Sequence, residues 1–237
     1  MKKTVSVLYQ KIIDKFIIGD FMELNNYIEH TLLRQDAKKD DFIKLFDEAI
    51  ENKFLGVCVN PEYVSFARDY LKNSGVKIVT VIGFPLGATT TATKAFEAKE
   101  AVLNGADEID MVINVTAIKD GNFDFAINDI REVKNACGDK NLKVIIETDL
   151  LTKDEIVKAC ECAIEGKANF VKTSTGFVKN GVGAKVDDVA LMYKTVSPYG
   201  LKVKASGGIK DKKKALDLIN AGASRLGTSS GVAIIKG

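Results

Sequence analysis

The chain has no tryptophan, three prolines and a single histidine among its 237 residues. Cysteine is sparse too: the four are Cys58, Cys137, Cys160 and Cys162, and no two form a CxxC pair. His30 is far from all of them in sequence, so the ligand spacings of a zinc site are missing. The cysteines read as reduced thiols of a cytoplasmic protein. Neither sign of charge dominates, since 34 Lys and Arg against 32 Asp and Glu leave a net charge of +2. That balance argues against nucleic acid or an anionic membrane as a partner. No apolar run approaches the roughly 20 residues of a membrane span. The first residues, MKKTVSVLYQKIIDKF, start basic, but Gln10, Lys11, Asp14 and Lys15 break any signal-peptide core. Residues 1–24 read instead as an amphipathic helical extension ahead of the main domain.

What is present is a core and a rhythm. Hydrophobic residues make up 46% of the chain, enough for one large α/β domain. From residue 27 onward, strand-like and helix-like runs alternate. The strand candidates are Tyr27–Leu32, Leu55–Val59, Lys77–Gly83, Glu108–Asn114, Lys143–Glu147, Phe170–Thr173, Lys202–Ala205 and Ser224–Gly227. Helical periodicity marks Asp40–Asn52, Pro61–Asn73, Thr91–Asn104, Phe123–Ala136, Lys153–Ile164, Val186–Val196 and Lys212–Ala221, with a short last helix from Ser229 or Ser230. Thr152 and Glu155 form a capping-box pattern, and Gly75, Gly105 and Gly222 stand where helices end. The strands are apolar on both faces, as parallel strands are. Eight βα units fit a single (β/α)8 TIM barrel over residues 25–237. An open doubly wound sheet is the alternative, but no G-x-G-x-x-G follows the first strand.

In such a barrel, functional groups gather at the C-terminal ends of the strands. The pattern NFVKTSTGF over residues 169–177 places Lys172 in an apolar strand ahead of a turn of small residues. A lysine there is either structural, with its stem on apolar surface and its ammonium in water, or a desolvated amine able to attack a carbonyl. Lys204 holds the like position on the next strand. Two ammonium groups about 4 Å apart repel by roughly 4 kcal/mol at an effective dielectric of 20, enough to keep one of them neutral near pH 7. The other reading is that one or both side chains point to the helix layer. Asp110 is an isolated carboxylate in the apolar strand EIDMVIN, either a structural ion pair or a proton shuttle beside the lysines. Glu147 and Asp149 are lesser candidates of the same kind, and His30 reads as a packed or hydrogen-bonded residue. Ser206-Gly207-Gly208 after strand 7 and Gly227-Thr228-Ser229-Ser230 after strand 8 are either ordinary tight turns or a cradle of N–H and hydroxyl groups for an oxyanion.

These motifs resemble the deoxyribose-phosphate aldolase family of class I aldolases. FVKTSTGF (170–177) is similar to its Schiff-base signature, KASGGI (204–209) to its second-lysine and phosphate motif, and DEIDMVINV (107–115) to its aspartate strand; IEHTLL (28–33) and LGTSSGV (226–232) also fit. The resemblance runs in order from about residue 25 to 235. It implies that Lys172 forms the imine, that Lys204 beside it lowers its pKa, and that Asp110 relays protons with Lys204 and a water. It implies phosphate binding by Gly176, Gly207, Gly208, Gly227, Ser229, Ser230 and Lys210, and a substrate pocket lined by Thr31, Cys58 and Thr175. The implied substrate is the sugar phosphate 2-deoxy-D-ribose 5-phosphate, with no cofactor and no metal, in a homo-oligomer of two or four chains. Three positions depart from the family pattern. Glu29 stands where an aspartate is expected, so its contact is expected to be longer or shifted. The loop VKNGVGAKVDD after Phe177 lacks the usual Gly-Gly-Ala-Thr. Some members place a C-terminal tyrosine in the proton relay; no tyrosine follows Tyr199 here, so that help is expected to be absent or to come from water.

Overall fold

The computed structural model describes residues 23–237. The helix expected over residues 1–24 lies outside them, apart from Glu23 and Leu24, which lead into the 3-10 turn Leu24–Tyr27. Eight strands follow: β1 Ile28–Leu32, β2 Gly56–Val59, β3 Lys77–Ile82, β4 Glu108–Val112, β5 Asn141–Ile145, β6 Phe170–Lys172, β7 Lys202–Ser206 and β8 Ala223–Thr228. They close in sequence order into a barrel, and β1 pairs in parallel with β8. The helices are α1 Lys39–Glu51, α2 Val64–Tyr70, α3 Thr91–Asn104, α4 Val115–Lys119, α5 Phe123–Cys137, α6 Lys153–Glu165, α7 Val186–Val196, α8 Lys212–Asn220 and α9 Gly231–Lys236. This is the (β/α)8 barrel that the alternating pattern predicts.

β4 shows how the sequence fills two environments at once. All five of its residues are buried. Ile109 and Met111 join the large apolar cluster shared with the helices. The alternate residues Glu108 and Asp110 point into the barrel, because successive side chains of a strand face opposite ways. β7 repeats the division, with Val203 and Ala205 in the outer core and Lys204 inside. Barrels of this kind are usually filled by layers of Val, Ile and Leu. Here Glu29, Glu108, Asp110, Lys143 and Lys204 are buried inside. Ions at that depth persist only when each meets opposite charge. Gly227 on β8 makes room for one of them: a Cβ there would stand 3.0 Å from Cε of Lys204.

Local signals set most helix ends. The Thr152–Glu155 capping box forms in both directions at α6, and Gly105 at φ 111° ends α3. The differences from expectation have local causes. The helix expected over Pro61–Asn73 is a 3-10 turn, Pro61–Tyr63, followed by the short α2, and Asn73 has left the helix at φ 68°. β4 stops at Val112 rather than Asn114, since Asn114 caps α4 by accepting a 3.0 Å bond from the Ala117 N–H. The pattern does not mark α4 separately, because its five residues are too few to show a period. β5 starts two residues early and ends before Glu147, whose backbone turns left-handed at φ 61°.

Candidate active site

Lys172 is the last residue of β6, and its cross-strand partner on β7 is Lys204. Level on neighbouring strands, the two side chains face the same way, into the barrel. Both reach one carboxylate oxygen. Asp110 Oδ2 accepts from Lys172 Nζ at 2.9 Å and from Lys204 Nζ at 2.7 Å. The other oxygen, Oδ1, accepts from Lys143 Nζ at 3.0 Å. Burial alone would raise the pKa of Asp110, but the three ammonium groups outweigh it and hold the carboxyl well below the usual range.

The same balance acts on the cations. Burial disfavours the ammonium of Lys204, yet Asp110 and Glu29 outweigh burial and hold its pKa above that of an ordinary lysine. Glu29 reaches Lys204 directly and hydrogen-bonds its Nζ. The extra methylene relative to aspartate therefore spans the gap, and the second oxygen lies 3.5 Å from Lys143 Nζ and 3.7 Å from Arg225 Nε. Lys143 also pairs with Glu108 Oε2 at 2.6 Å. Glu108 in turn receives Lys77, half-exposed at the foot of the barrel, at 3.1 Å. An unbroken run of ion pairs thus descends from Lys172 through the barrel interior.

Sequence reasoning missed Lys143, Arg225 and the part Glu108 plays. Lys143 opens a strand candidate, where a lysine reads as a solvated end. One signal was available: Asp110 and Lys143 are register partners on β4 and β5, opposite charges at like depth.

The ladder makes a prediction about acid. Burial pushes the Glu108 carboxyl up, but Lys143, with hydrogen bonds from Asn141 and Lys77, brings it from an ordinary 4.5 down to about 2. A depressed folded pKa contributes stability that is complete above the unfolded value and lost as pH falls through the folded one. The urea midpoint should therefore fall between about pH 5 and pH 2. Glu108→Gln should be less stable at pH 7 and should show a shallower fall across that window. Parallel pH profiles for the two proteins would refute this account.

Above Lys172 opens a cavity of about 340 Å³. Lys172, Thr175 and Gly176 line it from β6. Gly207, Gly208 and Lys210 line it from β7, and Gly227, Ser229 and Ser230 from β8. Thr31 and Arg34 complete the rim from β1, and Arg34 is a residue that sequence reasoning did not single out. Gly176, Gly207 and Gly208 all have positive φ, between 66° and 87°, which lets their loops turn their backbones toward the cavity. Lys204 and Asp110 lie beneath the lining rather than in it. Cys58 does not line the cavity: it is fully buried on β2 in a small cluster with Leu33, Val79 and Val81. Burial pushes its thiol pKa up, against Lys204 and Lys172 nearby.

Two further carboxylates brace the rim. Glu147 accepts from the backbone N–H and the hydroxyl of Thr175, and burial raises its pKa despite those bonds. Asp149 accepts from Gly183 N at 2.7 Å and pairs with Lys185 at 3.2 Å. The departing loop after Phe177 is thereby laid against β7, where the Ala184 N–H meets the carbonyls of Ser206 and Gly207, each at 3.1 Å. His30 stands outside this network, 2.8 Å from Glu48. Among the described residues, no group of three or more His, Cys, Asp or Glu is arranged to hold a metal ion. No helix among them is long and apolar enough to cross a membrane.

Fold and cavity together define a class, a (β/α)8-barrel aldolase with a lysine on the cavity floor. The family model described as DeoC/LacD family aldolase matches residues 26–237, and the chain belongs to that family. It is 56% identical over 216 residues to a deoxyribose-phosphate aldolase of Streptococcus suis (strain 98HAH33), covering 91% of this chain and 97% of that one. A deoxyribose-phosphate aldolase of Mannheimia succiniciproducens is 57% identical over 215 residues, covering 91% and 95%. Among solved structures, the deoxyribose phosphate aldolase of Aeropyrum pernix, described as tetrameric, superposes with a TM-score of 0.82 at 29% identity, over 90% of this chain and 89% of that one.

Proposed function

We propose that this chain cleaves 2-deoxy-D-ribose 5-phosphate reversibly to D-glyceraldehyde 3-phosphate and acetaldehyde, with Lys172 as the Schiff-base amine. The observation that carries the reading is Lys172 on the cavity floor, sharing one Asp110 oxygen with Lys204. Lys204, kept cationic by Asp110 and Glu29, is a fixed positive charge that disfavours a second one beside it.

The neutral amine of Lys172 attacks C1 of the open-chain aldehyde, and loss of water gives a protonated imine. The C3 hydroxyl loses its proton as the C2–C3 bond breaks, and the bond's electron pair moves into the iminium. Glyceraldehyde 3-phosphate leaves. The remaining enamine is protonated at C2, and water releases acetaldehyde and the amine. Asp110 and Lys204, with a water, carry the protons. The iminium is the electron sink, so the chemistry calls for no cofactor. The phosphate sits among Gly176, Gly207, Gly208, Gly227, Ser229, Ser230 and Lys210, and Thr31 and Thr175 flank the sugar. Holding the far end of the substrate spends phosphate binding on orientation at C1. The enzyme acts in the cytoplasm, in deoxyribose phosphate breakdown, as a homo-oligomer of two or four chains. Four buried free cysteines suit that compartment.

Reductive trapping tests this. Incubation with deoxyribose 5-phosphate and borohydride should leave a two-carbon or five-carbon adduct on Lys172 and release glyceraldehyde 3-phosphate. An adduct on Lys204 would exchange the lysines' roles. A folded protein with no adduct would rule out the imine.

A further inference from the structure

The turn that follows Lys172 has two different anchors. Thr173 and Ser174 are tied to β7. The Thr173 hydroxyl donates to the Ser206 carbonyl and accepts from the Ser206 N–H, each at 2.9 Å, and the Ser206 hydroxyl donates to the Ser174 carbonyl. Beyond Ser174 the anchor changes. Among the described residues, every hydrogen bond that Thr175, Gly176 and Phe177 make runs to Glu147 or to one another. The Thr175 N–H lies 3.2 and 3.3 Å from the two carboxylate oxygens of Glu147, and the Thr175 hydroxyl donates to one of them. With its proton committed there, the hydroxyl oxygen accepts from the Phe177 N–H at 3.1 Å.

Glu147 reaches this turn from an unusual backbone. Its φ of 61° and ψ of 64° are left-handed, a conformation that residues with a Cβ adopt rarely and that gathers at functional sites. The residue is 3% exposed. Behind the turn lies a second cavity of about 470 Å³, lined by Glu147, Thr175 and Phe177 and by apolar residues that include Leu86, Val112 and Leu150. Thr175 and Phe177 line the active-site cavity too, and Glu147 does not. The two residues are therefore a partition between two spaces, and Glu147 is the one carboxylate on its far side.

We propose that Glu147 is a positioning residue for the cleavage. It holds the Thr175–Phe177 partition in place beside Lys172, so that the sugar chain of the imine meets a fixed wall. Without the carboxylate, the wall has an apolar space to fall back into. A shift of about 1 Å in a group that orients substrate can cost roughly 10²-fold in rate. This role rests on the imine reading given above and deepens it.

The test is the kinetics of Glu147→Gln, Thr175→Val and the double variant on deoxyribose 5-phosphate, beside their binding of inorganic phosphate. Glutamine keeps the size of the side chain and loses one of the two accepting oxygens. Glu147→Gln should lower kcat by at least about tenfold. Inorganic phosphate should still bind within about threefold of the parent, because Gly207, Gly208 and Ser229 are untouched. In the Thr175→Val background the hydroxyl link is already gone, so the same change should cost at least about threefold less than it does in the parent. Equal costs in the two backgrounds would show that Glu147 does not act through Thr175. Phosphate binding that falls as far as kcat would mean collapse of the whole site, and would also overturn the role. The amide proton of Phe177 gives a reading that needs no change at Glu147. In Thr175→Val it should exchange at least about tenfold faster while those of β6 keep the parent's rate; an unchanged rate would refute the relay. A parent that neither cleaves deoxyribose 5-phosphate nor forms the Lys172 adduct would remove the imine reading and this role with it. An active parent whose Glu147→Gln variant turns over within about threefold of it would remove the role alone.

Discussion

Leucine in place of Lys172 should lower kcat/KM for deoxyribose 5-phosphate by at least about 10⁴-fold, because no covalent route remains without the attacking amine. The loss should fall on kcat, with phosphate binding kept, since the Gly- and Ser-rich loops of β7 and β8 are untouched. The barrel should tolerate the change. Three buried carboxylates, Glu29, Glu108 and Asp110, would still face three other cations, Lys143, Lys204 and Arg225. Removing Lys172 therefore leaves the interior balanced, and the urea midpoint should move little. Steady-state rates, inorganic phosphate binding and a urea titration on one preparation would decide the matter. Turnover within about tenfold of the parent would exclude Lys172 as the nucleophile.

Asparagine in place of Asp110 should do the opposite: it should cost both stability and turnover. Asp110 is the one group that three lysines share. Its loss leaves two buried carboxylates, Glu29 and Glu108, against Lys143, Lys204 and Arg225. Breaking a buried ion pair from one side costs about 3–5 kcal/mol, because the stranded charge keeps its desolvation cost. In urea that corresponds to a midpoint lowered by about 1–2 M. The penalty should shrink as pH rises, because the stranded lysines can then shed protons. Turnover should fall with it, since the proton carrier beside the imine is gone. A variant with the parent's midpoint and rate would leave Asp110 without either role.

The sequence alone determined the barrel, because a βα unit is a local pattern repeated. The helices Thr91–Asn104 and Val186–Val196 run over the very residues that their periodicity marks. The motifs around Lys172, Asp110, Gly207 and Ser229 were legible because each lies within a few consecutive residues. The interior could not be read that way. Lys204 and Glu29 are 175 residues apart in sequence, and Lys143 and Asp110 are 33 apart. Their meeting depends on closure of β8 onto β1 and on a register in which a slip of one residue would turn each lysine outward. Glu29 read as a misfit in an aspartate position, yet folding gives it the reach to clamp Lys204. The family resemblance implied a pocket role for Cys58, whereas in the folded chain it is fully buried on β2, with Lys172 and Lys204 nearby. Only closure of the barrel decided these, because it selects which inward residues of distant strands share one volume, and charge in that volume must balance.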